Sequence, residues 1–185
     1  MIALNDKRIR PKLKKFLITN SKKPIKVVDE LHINFGTAIA DVVAIDRYMH
    51  CFEIKGETDK IQRIETQGKV LDSSFPKVTL VTTENHLVYA LKNSPEHWGI
   101  IKVSNDKGKI IFRSIRTAKT NPNFNKEIAL FSLWKSELLS FSLSNNFEVA
   151  ERMNKKVISK LISNNLSSKK VIEAIAEIIS QRIKS

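Results

Sequence analysis

The sequence has only one cysteine, Cys51. A single copy can therefore build neither a disulfide nor a thiolate zinc centre, and a reducing, cytoplasmic setting fits. Long hydrophobic runs are also missing. No stretch approaches the roughly 18–20 apolar residues that cross a bilayer. Lysines and arginines interrupt the first segment throughout, which leaves no signal-peptide core. No membrane partner is expected. Glycine and proline are scarce, five of each, and none lies beyond Pro122. Acids are outnumbered, 19 against 32 lysines and arginines, for a formal net charge of +13.

That charge is unevenly spread. Residues 1–26 hold nine Lys/Arg and one acid, Asp6, and residues 101–126 hold seven and one, Asp106. Acids gather instead at Asp29, Glu30, Asp41, Asp46, Glu53, Glu57 and Asp59. An acidic patch inside a basic protein suits a polyanion, with a divalent cation held between it and the carboxylates. Solubility or a lysine-rich coding bias would produce the same composition, so charge alone leaves the partner open. At 42 % hydrophobic and 28 % charged residues, the chain reads as one globular domain with a small extension.

Residues 4–18 read as an amphipathic helix through Leu4, Ile9, Leu13, Phe16 and Leu17, with Pro11 blurring its start. Strands are expected at 25–33, 39–45, 49–55, 78–82 and 99–104, with an edge strand at 110–115. Thr58 or Asp59 should cap a helix running to about residue 74, and 86–93 should form another. The order strand, strand, strand, helix, strand, helix, strand mixes hairpins with crossovers. It predicts an α/β class with a mixed β-sheet flanked by helices. Beyond residue 125, helical periodicity predicts three helices, at 126–142, 147–164 and 168–184. The chain thus divides into an α/β core, residues 1–124, and a helical appendage, residues 125–185, packed on it.

Two of these strands carry the chemistry. Ala40-Asp41 lies in one and Glu53-Ile54-Lys55 in the next, with Asp46-Arg47-Tyr48 between them. A hairpin turn centred on Arg47 sets Asp41 directly across from Glu53, where facing Cβ atoms are about 4.5–5.5 Å apart. Lys55 shares the Glu53 face because strand side chains repeat every two residues. Phosphodiester cleavage with Mg²⁺ or Mn²⁺ needs such a set. Carboxylate oxygens hold the hard cation at about 2.0–2.1 Å and leave places for water and phosphate. Asp41 and Glu53 are the candidate metal ligands, with the Ile54 carbonyl as a third donor. Lys55 would orient or deprotonate the attacking water, or offset charge developing on phosphorus. The competing reading is a solvated strand face whose charges merely pair across strands. Cys51 falls on the Glu53 face as filler, His32, His50, His86 and His97 lack metal-ligand spacing, and Trp98 and Trp134 read as core anchors.

The arrangement resembles the PD-(D/E)XK nuclease superfamily, and the whole chain is similar to a family of small bacterial proteins within it. The resemblance rests on Val27-Val28-Asp29-Glu30-Leu31, Ala40-Asp41-Val42, Glu53-Ile54-Lys55 and the segment from Asp59 to Gln67. It continues in Val78-Thr79-Leu80-Val81, Trp98-Gly99-Ile100 and Leu133-Trp134-Lys135-Ser136-Glu137-Leu138, spanning residues 25–140 well and the final helices loosely. It implies a restriction-endonuclease-like fold and a metal-dependent DNA endonuclease, with RNA left open as substrate. By the same resemblance Glu30 is an upstream acid beside the metal, and Gln67 a helix glutamine over the site. Arg63, one helical turn before Gln67, would share its face and meet a phosphate. There are departures: Ala40 replaces the signature proline, and Ile39 stands where relatives often carry a phosphate-binding arginine. Leu71 replaces the tyrosine of exonuclease-type members. Lys12, Lys14, Lys15, Lys22 and Lys23 would meet DNA phosphates nonspecifically. The rival expectation is a non-catalytic module that keeps the fold and binds DNA, or docks a protein partner or second copy through its C-terminal helices.

Overall fold

The computed structural model describes residues 3–183. Alternating apolar positions form six strands in one sheet whose order follows the chain. They are β1 (Lys26–Ile33), β2 (Ala38–Ile45), β3 (Met49–Lys55), β4 (Lys77–Thr83), β5 (Gly99–Asp106) and β6 (Lys109–Arg116). β1, β2 and β3 are antiparallel neighbours, β3, β4 and β5 are parallel, and β6 returns antiparallel at the edge. Helices α2 (Ile64–Ser74) and α3 (Glu84–Asn93) make the two crossovers. The mixed sheet, the flanking helices and the C-terminal helical run expected from the sequence are all present.

The sheet is covered on both faces. On one lies α1 (Asp6–Asn20), whose Ile9 and Leu13 pack with Leu4 against Phe52, Ile54, Val81 and Val103. On the other, α2, α3 and the C-terminal helices share a core with Cys51, Leu80, Trp98, Ile100, Leu133 and Ile162. Burying each such aliphatic or aromatic side chain contributes about 1.5–3 kcal/mol. Among the described residues, no helix is long and apolar enough to cross a membrane.

Three expected boundaries move. α1 contains Pro11 in its interior. The missing N–H is tolerated because Ile9 and Leu13 on either side are fully buried, which outweighs a helix-interior penalty of about 3 kcal/mol. Neither Thr58 nor Asp59 caps the next helix. The Asp59 carboxylate accepts the Gly56 N–H at 2.7 Å instead, and α2 follows a short 3-10 turn at Ile61–Arg63. The C-terminal region forms four helices rather than three: α4 (Lys126–Leu130), α5 (Lys135–Leu143), α6 (Lys155–Asn165) and α7 (Ser168–Arg182). The break between α4 and α5 is held from a distance. Lys155 Nζ donates to the Phe131 carbonyl at 2.7 Å, and Arg182 donates to that of Ser132 at 3.2 Å. α6 begins only at the Asn154 cap, whose side chain accepts the Val157 N–H. Residue 184, the expected end of the last helix, lies outside the described residues.

One irregularity positions the site. Core-facing residues on β1 are Val28, then Leu31 and Ile33, and on β2 Ala40, then Val43 and Ile45. A spacing of three in place of two falls on both strands at Glu30 and Asp41, the one position missing from their ladder. Glu30 sits there at φ 52. Such slips bend a strand and re-aim its side chains.

Gly56, directly after Lys55, ties α1 to this end of the sheet. The Glu57 N–H donates to the Leu4 carbonyl at 2.8 Å, and the Glu57 carboxylate accepts the Leu4 N–H at 3.1 Å. A Cβ on Gly56 would stand 2.5 Å from the Leu4 carbonyl oxygen, which is backbone and cannot rotate away. Gly56→Ala is expected to destabilise the protein by about 1–3 kcal/mol, measured as a lower urea midpoint with an unchanged m-value.

Candidate active site

The β2–β3 register is the one that a turn centred on Arg47 requires, running from Ile45–Met49 to Val42–Phe52. It stops one pair short of Asp41 and Glu53. There the Asp41 side chain takes over, its Oδ2 accepting the Ile54 N–H at 2.8 Å. A carboxylate thus stands where a strand carbonyl would have continued the ladder. Glu53 and Lys55 face the α2 side of the sheet, and Lys55 Nζ lies 2.6 Å from Glu53 Oε1. Gln67, projecting from α2, accepts from Lys55 Nζ at 3.3 Å. Glu53 is 5 % exposed and Lys55 8 %. The four residues line an open cleft of about 510 Å³ together with Glu30, Ile54 and Arg63.

Electrostatics single out the carboxyl pair. Burial, and then the charge of Asp41, push the Glu53 carboxyl up to about 7, against the pull of Lys55. Burial also raises Asp41, partly offset by the hydrogen bond from Ile54. Two acids are held together in a desolvated site, which raises both despite the nearby cations. Burial likewise raises the Cys51 thiol well above its usual value. Cys51 is fully buried on the Glu53 face, consistent with filler.

Arg10 of α1 was not singled out by the sequence. Its guanidinium reaches Glu30 at 3.0 Å, Asp41 at 3.4 Å and Asp6 at 2.9 Å. It lines the same cleft as Ile39. The signal that could have found it is the Asp6–Arg10 spacing of one helical turn at the start of an amphipathic helix. Glu30, by contrast, has a side chain 67 % exposed and engages Arg10. Among the described residues, no group of three or more His, Cys, Asp or Glu is arranged to hold a metal ion.

The remaining candidates divide. Arg63 lies in the 3-10 turn before α2 and still lines the cleft. Lys12 and Lys15 flank a separate groove, Lys14 pairs with Asp29 at 2.5 Å, and Lys22 and Lys23 are exposed in the loop after α1. His50 is bonded to Thr79 and held down to about 3 by burial. His97 and Trp98 both bond the Asp72 carboxylate, at 2.6 and 2.7 Å. Trp98 is buried as expected. Trp134 is not a core anchor: it is 61 % exposed and carries the Arg182 guanidinium 4.3 Å from its ring centroid. It serves as the first residue before α5, where the chain must leave the core.

The family model described as "Bacteriophage P4 protein cII" matches residues 4–185. Protein cII of Enterobacteria phage P4 is 23 % identical over 156 residues, covering 84 % of this chain and 59 % of that protein. The chain therefore spans about three fifths of the length of that curated relative. Among solved structures, a protein of unknown function from Silicibacter pomeroyi aligns at 12 % identity with a TM-score of 0.47, over 83 % of this chain and 100 % of that one.

The raised Glu53 carboxyl has a stability consequence. Between its ordinary value of 4.5 and about 7, the folded protein keeps a proton that the unfolded chain has released. Raising the pH then favours unfolding. The metal-free protein should lose stability as the pH rises from 4.5 to about 7. Glu53→Gln should flatten most of that slope, read by urea denaturation at each pH.

Proposed function

The chain belongs to the bacteriophage P4 protein cII family, and from the geometry of its cleft we propose that it is a metal-dependent DNA endonuclease with a PD-(D/E)XK-type site on a restriction-endonuclease-like core. The observation that carries the reading is the meeting of Asp41, Glu53, Lys55 and Gln67 in one open cleft, from three separate elements. The donor set suits Mg²⁺ or Mn²⁺. Two carboxylates repel one another in a buried site, and a divalent ion between them would remove that repulsion. Mg²⁺ is commonly held by only one or two carboxylates, with waters filling the other positions. Asp41 and Glu53 would hold it, with Glu30 able to join once released from Arg10.

Bound there, the ion would supply a water of lowered pKa and charge stabilisation at phosphorus. The chain's own groups do the rest. The Lys55 ammonium, fixed between Glu53 and Gln67, orients the attacking water and offsets charge on the phosphate. Gln67 keeps that ammonium aimed. Arg10 and Arg63 neutralise phosphate oxygens at the mouth, and Arg10 provides the contact that Ile39 cannot. The partner is DNA, and RNA fits the same chemistry.

A second reading, a module that docks a protein partner or second copy through its C-terminal helices, has one observation in its favour. Exposed Phe35, Trp134 and Ile183 line a shared cavity of about 550 Å³. The two readings are compatible.

Purified protein incubated with labelled DNA should cleave it only with Mg²⁺ or Mn²⁺ present. Lys55→Ala should slow cleavage by about 10²–10⁴-fold, and Glu53→Ala should abolish it. Cleavage that survives in both variants would remove the site. A parent protein that binds DNA yet cuts no substrate would favour the non-catalytic reading.

A further inference from the structure

The two basic segments of the sequence, residues 1–26 and 101–126, are brought together by the fold. α1 packs beside the edge strand β6, where the Phe16 and Phe112 rings meet with centroids 5.0 Å apart. Above them runs an open groove of about 770 Å³. Lys12 and Lys15 of α1 form one wall, and Lys107 and Lys109 from the β5–β6 turn form the other. The turn is sharp, with Lys107 at φ 48 and Gly108 at φ 87. It sets Lys109 across the ladder from Asp106, whose carboxylate makes no ion pair with it.

No acidic residue lines this groove. Among the described residues, none of its four lysines enters an ion pair. Nearby Lys14 and Lys102, by contrast, are bound to Asp29 and Glu84. Ammonium groups gathered without ion-pair partners repel one another and concentrate anions. The aromatic floor and the unpaired lysines suit a chain of phosphates, since each phosphate neutralised releases condensed counterions.

α1 stands between the two sites. Arg10 lines the acidic cleft on one flank, and Lys12 and Lys15 line the basic groove on the other. The two openings thus lie on opposite flanks of one helix. A duplex carries two phosphate backbones and so can offer one to each opening. We propose that the Lys12/Lys15/Lys107/Lys109 groove binds the phosphodiester backbone of duplex DNA, holding one strand while the other enters the acidic cleft. The role of the cleft strand rests on the nuclease reading; the groove contact is measured without it.

Binding of a short fluorescent duplex is followed by anisotropy in EDTA, in the Lys55→Ala background so that no cleavage intervenes. The double variants Lys12→Gln/Lys15→Gln and Lys107→Gln/Lys109→Gln should each bind at least about tenfold more weakly. Each should also lower the slope of log K against log salt by about 1.8, from two lost phosphate contacts. Lys169→Gln/Lys170→Gln on α7 should change neither, and thermal melting checks that all variants fold. Unchanged affinity and slope in both groove variants overturn the groove and leave the nuclease reading standing. Groove-dependent binding by a parent protein that never cuts leaves the groove standing and overturns the nuclease. Equal or tighter groove-dependent binding of single-stranded DNA or RNA overturns the duplex assignment, as does a parent that binds no duplex at low salt.

Discussion

A carboxylate in place of a backbone carbonyl organises this protein. Asp41 accepts the Ile54 N–H, so the β2–β3 ladder ends with its donor satisfied and its last side chain aimed at Glu53. A buried N–H left unpaired there would cost about 1–3 kcal/mol. The bond therefore fixes the acid as firmly as the strand fixes its own backbone. The bend that frees Asp41 is shared by β1, where Glu30 takes a left-handed conformation opposite it. Everything else in the site is arranged around that fixed oxygen.

The charge balance follows from it. Holding Asp41 next to a buried Glu53 raises the glutamate towards neutrality, and the protein answers with two cations from opposite faces of the sheet. Lys55 arrives on the same strand as Glu53 and is steadied by Gln67. Arg10 arrives from α1, which is pinned beside Gly56 through Leu4 and Glu57. Neither cation relieves both acids completely. That leaves the buried glutamate raised despite both cations. The arrangement also gives α1 two tasks, a structural one beneath and an electrostatic one on each flank.

Much of the sheet was legible because its signals are local. Val78 to Thr82 is an apolar run rich in β-branched residues and lies buried in β4, and the turn through Arg47 set the β2–β3 register seen in the structure. Glu53 and Lys55 shared a face because alternation holds along β3. Alternation failed at Asp41, where the strand slips by one residue, and no residue type nearby announces the slip. The C-terminal helices were misjudged for a similar reason. The chain between Leu130 and Lys135 has neither glycine nor proline, and its break is held by Lys155 and Arg182 from helices that follow. Trp134, apolar by composition, is displaced to the surface by that same break.

The sequence by itself determined the mixed α/β class, the shared face of Glu53 and Lys55, the order of strands and helices along the chain and the excess of basic charge. These depend on residue type and short-range spacing, which the chain carries with it. Only the tertiary structure decided that Asp41 would bond Ile54, that Arg10 would stand over the acids, and that two distant lysine-rich segments would wall one groove. Each of those requires packing between elements far apart in the chain, and such contacts leave no periodic trace in the residues that make them.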